Sequence, residues 1–277
     1  MGCLFVSDLD GTLLSSEIKV SDYTINAIND AISKGAIFTV ATARSFVSAS
    51  ELTKKLNINA PVILMNGVFV YDIKKDEYIK YEEISKPLAS FIIDVMKRHK
   101  QSGRMFGFDG KRLLSYTESG CKHTFPEDIE NHCRKIVPTQ DLADNINTNP
   151  IVSFVLIDSF ENLGPIYREI KDNETLSCCF YEDIYKPEIF WLEIYSSRVN
   201  KANAVSYVKE YCKAQRLVTF GDNLNDIEML TLADEGIAMA NAVSKAKEAS
   251  NLTLKWTNDE DGVARYISNL YGDEKNG

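Results

Sequence analysis

Short apolar runs, each followed by a polar turn and then by residues at helical spacing, recur along the first part of the chain. The runs are Cys3–Ser7, Ala36–Ala41 and Val62–Met65, and Ser21 and Ser45 stand where helices between them would begin. Runs this short and this apolar are typical of strands that are buried on both faces of a parallel sheet. Parallel strands need a crossover connection, usually a helix, which the intervening segments supply. The pattern therefore predicts a doubly wound, Rossmann-like α/β sheet.

The middle of the chain follows a different pattern. An amphipathic helical segment, Ile84–His99, precedes short strand-like runs whose spacing is less regular. The alternation of strands and helices resumes near Asn200. This organisation predicts a core domain formed by residues 1–83 and 197–277, with an inserted α+β cap domain formed by residues 84–196.

The charge balance narrows the possible partners. The formal net charge is −9, whereas nucleic-acid binding usually depends on a basic excess or patch. No apolar run approaches the ~20 residues of a membrane span, and the six cysteines form no C-x-x-C pair. We expect a cytoplasmic protein, a monomer or weak homodimer, that binds neither nucleic acid nor membrane. An acidic chain that binds phosphate must supply positive charge locally.

Polar residues follow nearly every predicted strand of the sheet. They are Asp8 and Asp10 after the first strand, Thr42, Ala43 and Arg44 after the second, Asn66 after the third, and Asp222, Asn225 and Asp226 after Leu217–Phe220, with Lys201 at the start of the preceding helix. In open parallel sheets, ligands bind at the carboxyl ends of the strands, so these residues are expected to share one edge.

The carboxylates at this edge indicate a class of reaction. Asp8, Asp10 and Asp222 would repel each other unless a cation lay among them, and oxygen ligands of this kind suit Mg²⁺. One carboxylate can then attack a phosphorus atom, while a second acts as general acid and base. Thr42, at a helix start, and Lys201 can bind the phosphoryl group. The pattern therefore favours Mg²⁺-assisted phosphoryl transfer.

Four motifs in order resemble those of the haloacid dehalogenase-like phosphatase superfamily. The stretch Asp8–Leu13 resembles its D-x-D-G-T-L nucleophile motif, and Gly221–Asp226 resembles its fourth motif, G-D-x-x-N-D. Thr42 and Lys201 stand at the places of its second and third motifs. Four motifs in this order and spacing are far more specific than any one of them.

The large insertion between the second and third motifs is similar to that of the Cof-type branch, whose members are sugar-phosphatase-like. Asn241 and the stretch Asp259–Ala264 also resemble the C-terminal pattern of that branch. Two positions depart from the branch, since Ala43 and Ala202 stand where glycine is common. The extra methyl groups make the transfer of a role to the neighbouring Arg44 less secure than to Thr42.

The resemblance implies a Mg²⁺-dependent phosphatase that carries the phosphoryl group on Asp8, with Asp10 as general acid/base. The metal would be held by Asp8, by the backbone carbonyl of Asp10 and by Asp222, while Asp226 would hold Lys201 or a metal-bound water. The predicted substrate-binding residues are, in chain order, Thr42, Ala43, Arg44, Asn66, Lys201 and Asn225.

Two alternatives stay open. A phosphomutase would share the nucleophile but return the phosphoryl group to a second hydroxyl. A regulator that binds a phosphorylated metabolite without chemistry would keep the fold, although the presence of both Asp8 and Asp10 speaks against it. The expected substrate is a small phosphorylated metabolite, such as a sugar phosphate, and we expect the cap to select it.

Overall fold

The computed structural model describes residues 2–118, 135–183 and 186–272. The chain forms two compact units, one made of Met1–Lys80 and Asn200–Gly277 and the other of Tyr81–Val199. The first unit therefore combines two separate segments of the chain, and the second is inserted between them.

The elements follow the chain in three groups. The first group is β1 (Cys3–Ser7), α1 (Asp22–Ser33), β2 (Ile37–Val40), α2 (Phe46–Thr53), β3 (Val62–Leu64), β4 (Phe69–Asp72) and β5 (Glu77–Tyr81). The second is α3 (Lys86–Arg98), β6 (Arg104–Phe108), β7 (Leu113–Glu118), β8 (Lys135–Thr139), β9 (Ile151–Asp158), α4 (Phe160–Ile170), β10 (Leu176–Glu182) and β11 (Phe190–Ser196). The third is α5 (Lys201–Tyr211), β12 (Arg216–Gly221), α6 (Ile227–Leu232), β13 (Glu235–Ala238), α7 (Ser244–Ala249), β14 (Leu252–Thr253) and α8 (Gly262–Tyr271). Within the described part of the chain, no helix is both long and apolar enough to cross a membrane.

A five-stranded parallel sheet organises the first unit, in the order β14-β13-β12-β1-β2. Strand β1 lies inside this sheet, between β12 and β2, and its residues Leu4, Phe5 and Val6 are all buried. Consecutive side chains of a strand point to opposite faces, so their burial shows that both faces of the sheet are covered. The unbroken apolar run in the sequence reflects this burial, and the predicted α/β fold is confirmed.

The third predicted strand pairs differently from the prediction. β3 lies antiparallel to β4 in a three-stranded sheet of order β3-β4-β5, and a single parallel bridge, Ala41 to Ile63, links it to the end of β2. The reason is the turn that follows it, where Met65, Asn66 and Gly67 all have positive φ. This turn reverses the chain at once and makes a hairpin, so β3 is a strand but contributes little to the main sheet.

The second unit contains a six-stranded sheet of order β10-β11-β9-β6-β7-β8. Its strand pairs are antiparallel except β7 with β8, which is parallel. Helices α3 and α4 pack on one face, where Ile92 and Leu163 join Phe154 and Leu192 of the sheet in an apolar core. The predicted α+β character of the insertion is confirmed. β8 was not predicted. It contains a proline, Pro138, which a strand tolerates at a sheet edge, and β8 lies at the edge of this sheet.

Candidate active site

The carboxyl ends of β1 and β12 lie side by side at one edge of the parallel sheet. Ser7 pairs with Phe220 in the register of these strands, and the backbone N–H of Asp8 donates to the Phe220 carbonyl at 3.0 Å. Asp222 follows directly after β12. The two strands therefore bring two aspartates together that are more than 200 positions apart in the sequence.

Lys201 is the buried cation of this edge. Its side chain is only 1% exposed, and its ammonium group donates to Asp8 Oδ1 at 2.5 Å and to Asp226 Oδ1 at 2.7 Å. The lysine occupies the first position of α5, where the side chain of Asn200 caps the helix by accepting from the N–H of Asn203. The helix start thus fixes the backbone from which the lysine reaches the two carboxylates.

Asp8, Asp222 and Asp226 form an acidic cluster in which one carboxylate oxygen from each lies within 4.8 Å of the others. Asp222 Oδ1 accepts from the Thr12 hydroxyl at 2.8 Å, and Asp226 Oδ2 accepts from the backbone N–H of Asp222 at 3.0 Å. Three carboxylates thus lie beside one ammonium group. An oxygen-only donor set with excess negative charge fits Mg²⁺.

The predicted metal ligands were Asp8, Asp10 and Asp222. The cluster contains Asp8 and Asp222, and its third carboxylate is that of Asp226 and not that of Asp10. The side chain of Asp10 instead pairs with Arg44. Because the predicted contribution of Asp10 was its backbone carbonyl, the position of its side chain does not test that role, which stays a prediction.

Burial dominates the electrostatics of the cluster. It raises the pKa of Asp8 to about 8, although the Lys201 ammonium opposes this shift and the neighbouring Asp226 adds to it. Burial likewise raises the pKa of Asp222 to about 6, against the hydrogen bond from Thr12. For Lys201, burial alone would lower the pKa, but the attraction of Asp8 and Asp226 raises it above its ordinary value. A bound divalent cation would stabilise the ionised form of both carboxylates.

Arg44 and Asp10 form a bidentate ion pair beside the cluster. Arg44 Nε donates to Asp10 Oδ2 at 2.7 Å, and Nη2 donates to Asp10 Oδ1 at 2.6 Å. Nη1 donates to the Ser48 hydroxyl at 2.9 Å. We had predicted that Arg44 contacts substrate, and the structure places its guanidinium group on the predicted general acid/base.

The remaining predicted residues lie around the turns that follow β2, β3 and β12. Thr42 is buried, and its backbone carbonyl accepts from the N–H of Asn66 at 2.9 Å. Asn225 Nδ2 donates to Asn66 Oδ1 at 3.0 Å, so these two amides are in direct contact. Ala43 is exposed in the turn between β2 and α2. The structure therefore brings Asn66 and Asn225 together and connects both to Thr42.

Several supporting residues were not predicted. The Thr12 hydroxyl holds Asp222, and the side chain of Asn241 donates to the Gly11 carbonyl at 2.8 Å. Gly11 itself has φ +79°, and a Cβ there would lie 2.4 Å from Asp222 Oδ2, so only glycine fits. Thr12 and Gly11 stand inside the first motif, where the sequence did signal them, but their contact with Asp222 depends on the tertiary fold.

Comparison with protein families places this sheet and its acidic edge in one class of enzymes. The model of the haloacid dehalogenase-like hydrolases matches residues 5–267, and the chain belongs to that family. The resemblance noted in the sequence is thereby confirmed.

Individual relatives agree with the family. A 5-amino-6-(5-phospho-D-ribitylamino)uracil phosphatase of Bacillus subtilis is 26% identical over 280 residues, which cover 97% of each chain. A crystal structure of a Thermotoga maritima protein matches with a TM-score of 0.77 at 26% identity, over 97% of each chain. A sugar phosphatase of HAD subclass IIB has the same fold, with a TM-score of 0.69 at 21% identity, over 98% of this chain and 99% of that one. The predicted enzyme class, a phosphatase, is confirmed by the family and its named relatives.

Proposed function

We propose that this phosphatase is Mg²⁺-dependent and hydrolyses small phosphate monoesters through an aspartyl-phosphate on Asp8, with Asp10 as general acid/base. The observation that carries the proposal is the buried Asp8 carboxylate, which Lys201 holds by one oxygen inside a cluster of three aspartates. Such a nucleophile at the carboxyl edge of a parallel sheet has an electrostatic setting suited to a phosphoryl group.

The donor set defines how the metal would be held. Asp8 and Asp222 would ligate Mg²⁺ together with the backbone carbonyl of Asp10, and Asp226 would hold Lys201 in place beside them. When bound, Mg²⁺ neutralises the negative field of the cluster and stabilises charge on the phosphoryl oxygens. Without such a cation, three carboxylates would repel a phosphate monoester.

In the first step an oxygen of Asp8 attacks phosphorus, and the bond between phosphorus and the ester oxygen breaks. The electron pair of that bond goes to the leaving oxygen. Asp10 gives its proton to this oxygen, so an alcohol departs and the Asp10 carboxylate remains. The product on the enzyme is an acyl phosphate at Asp8.

In the second step a water attacks the same phosphorus atom. Asp10, now a carboxylate, takes a proton from this water, and the bond between phosphorus and the Asp8 oxygen breaks. Inorganic phosphate leaves, Asp8 is again a carboxylate, and Asp10 is again protonated. One carboxyl group thus serves as acid and then as base.

Binding of the phosphoryl group is assigned to Lys201, Thr42 and the turns near them. The Thr42 hydroxyl already accepts from the N–H of Arg44 at 3.0 Å, so its own proton can be donated to a phosphoryl oxygen. Asn225 and Asn66 offer amide groups, and Ala43 offers its backbone N–H in the turn that leads into α2. Lys201 supplies the positive charge.

For the substrate we propose a phosphorylated sugar or sugar alcohol. The support comes from the Bacillus subtilis relative, whose name specifies a phosphoribityl compound, and from the sugar phosphatase with the same fold. We assign the choice of leaving group to the inserted unit. A panel of phosphorylated metabolites, assayed with purified protein and Mg²⁺, should give at least tenfold higher kcat/KM for a sugar phosphate than for simple alkyl phosphates. Equal turnover across the panel would contradict this substrate class.

The mechanism is tested by metal dependence and by trapping. Hydrolysis of 4-nitrophenyl phosphate should require Mg²⁺, should stop with a chelator, and should be supported poorly by Ca²⁺, which prefers higher coordination numbers. Acid quenching during turnover, followed by peptide mass spectrometry, should show one phosphoryl group on the peptide that contains Asp8. Full activity in the chelator would exclude the metal role, and phosphate on any other residue would exclude this nucleophile.

A further inference from the structure

We infer that Arg44 is a positioning residue that fixes the carboxylate of Asp10 for proton transfer, and that it does not act as a ligand of the phosphoryl group. This inference rests on the proposed function, in which Asp10 is the general acid/base. It assigns to Arg44 a role in the protonation of the leaving group.

The guanidinium group of Arg44 is anchored from several sides. Two of its nitrogens contact the two oxygens of Asp10, at 2.7 and 2.6 Å, and the third contacts the Ser48 hydroxyl at 2.9 Å. Its backbone is held as well, because its N–H donates to the Thr42 hydroxyl and its carbonyl accepts from the N–H of Met65, both at 3.0 Å. All three guanidinium nitrogens thus donate to groups of the protein. The guanidinium group is therefore held in one orientation, and it can in turn orient the carboxylate of Asp10.

The bidentate geometry has a specific consequence for Asp10. The side chain of Asp10 is 49% exposed, so without a partner it could rotate freely in solvent. Two parallel hydrogen bonds from a planar fork select one orientation of the carboxylate plane. Asp10 follows β1 and Arg44 follows β2, which are neighbours in the parallel sheet, so the sheet itself sets the separation of the two residues.

The ion pair is poorly suited to a purely stabilising role. It is partly exposed, with Arg44 at 25% and Asp10 at 49%, and ion pairs in such positions contribute little to the stability of a fold. A variant that loses the pair should therefore fold and melt close to the parent protein. Its defect should appear in catalysis.

The chemistry of the leaving group separates the two possible roles. A general acid matters most for a basic leaving group, such as an alkoxide, and least for 4-nitrophenolate, which departs without much protonation. A phosphate ligand, in contrast, contacts the part of the substrate that all esters share. If Arg44 positions Asp10, the decrease in kcat/KM on its removal should depend on the leaving group. If Arg44 binds the phosphoryl group, the decrease should be the same for all esters.

The test uses Arg44→Met with 4-nitrophenyl, phenyl and benzyl phosphate, in order of rising basicity of the leaving group. We expect kcat/KM, which reports on the first step, to fall about 100-fold for benzyl phosphate and less than about threefold for 4-nitrophenyl phosphate. The inhibition constant of inorganic phosphate should stay within about twofold, and the melting temperature within about 3 °C. An equal loss for all three esters, with weaker inhibition by phosphate, would overturn the inference.

Companion variants sharpen the result. Ser48→Ala releases one anchor of the guanidinium group and should show the same dependence on the leaving group at smaller amplitude. Arg44→Lys keeps the charge but lacks the fork, so it should restore only part of the loss. Arg216→Met is the control. It removes an arginine at the start of β12 that pairs with Glu235, and it should leave kcat/KM for all three esters unchanged.

Asp10→Asn separates this inference from the proposed function. If Asp10 is the general acid, its variant must show a loss that rises with the basicity of the leaving group. If Asp10→Asn shows that dependence and Arg44→Met does not, the positioning role is wrong and the proposed function stands. If the loss in Asp10→Asn does not depend on the leaving group, Asp10 is not the general acid, and the positioning role of Arg44 is then also wrong.

Discussion

The two units of the chain bury polar groups in different ways. In the first unit, Asp8, Lys201 and Asp226 are all buried and all contact one another through the lysine. Among the described residues of the second unit, the buried polar side chains are Arg104 and three serines, with no carboxylate. Among the residues that the structure describes, buried opposite charges are therefore concentrated in the first unit.

Sheet topology explains this difference. Parallel strands end at the same edge, so the residues that follow β1 and β12 meet in space although they are distant in sequence. In the antiparallel pairs of the second unit, successive strands end at opposite edges, and polar residues are distributed over both. Burying charge is costly unless it is paired, so the concentration of charge in the first unit supports the proposed site.

The nucleophile offers the strongest test of this contrast. Asp8→Asn should lower kcat by about 10³-fold or more. Because burial raises the pKa of Asp8, the ionised carboxylate destabilises the folded protein at pH 7 relative to its protonated form. The uncharged amide should therefore leave the melting temperature unchanged or raise it by a few degrees.

Calorimetry and steady-state kinetics on the same preparation check both expectations for Asp8→Asn. Asp30→Asn, which removes an exposed carboxylate paired with Lys34 on α1, is the control and should change neither quantity. Turnover of Asp8→Asn within about tenfold of the parent would contradict the nucleophile role.

Lysine replacements on one helix compare a buried with an exposed cation. Lys201→Met leaves Asp8 and Asp226 without their ammonium partner, so we expect a loss of about 3 kcal/mol in the free energy of unfolding. We also expect at least about 100-fold lower kcat/KM. Lys209→Met, on the same helix, removes a partly exposed pair with Asp234 and should cost less than about 1 kcal/mol. Urea denaturation of both variants measures these free energies. Equal losses for Lys201→Met and Lys209→Met would contradict the prediction.

Two glycines with positive φ compare the units directly. A Cβ at Gly11, in the first unit, would lie 2.4 Å from Asp222 Oδ2, whereas a Cβ at Gly110, in the second unit, meets nothing within 4 Å. Both alanine variants should lose about 1 kcal/mol from backbone strain. Only Gly11→Ala should also lose activity, by about tenfold, because it displaces a predicted metal ligand. Matching kinetics for the two variants would refute the special role of the loop after β1.

The smallest expected effect concerns pH and metal binding. Burial raises the pKa of Asp8 to about 8 and that of Asp222 to about 6, so protons compete with Mg²⁺ for both carboxylates in the neutral range. A raised pKa means that the acid form persists to higher pH, so affinity must fall as pH falls. Titration calorimetry should show about fivefold weaker Mg²⁺ binding at pH 7 than at pH 8. Equal affinity at both values would show that the carboxylates are already ionised or do not ligate the metal.

The sequence predicted those features that depend on local pattern and on the order of motifs. The strand before Asp8, the N-cap at Ser21 and the edge shared by Asp8 and Asp222 were all predictable, because they follow from periodicity, capping and sheet topology. The pairing of Arg44 with Asp10 was not, since the sequence shows that both lie at one edge but not which side chain each will meet.

The hairpin of β3 and β4 was also missed. Its turn contains Met65 and Asn66, which both have positive φ, and a methionine in particular gives no sequence signal for that conformation. The contact between Asp226 and Lys201, in contrast, is one that the resemblance implied. What the sequence did not show is that the Asp226 carboxylate lies in one cluster with Asp8 and Asp222. The sequence therefore predicts which distant residues share an edge of the sheet, but not every pairing of their side chains.

The discontinuous build of the first unit has a consequence for the timing of synthesis. Asp8 and its partner Lys201 are 193 positions apart, and the whole inserted unit is translated between them. At roughly 5–20 residues per second, Asp8 leaves the ribosome on the order of ten seconds or more before Lys201 exists. The pairing of β1 is likewise complete only after β12 has been made, because β1 lies between β2 and β12 in the sheet. If Asp8 is the nucleophile, a nascent chain thus carries it without its lysine partner, and activity is expected only after most of the polypeptide has emerged.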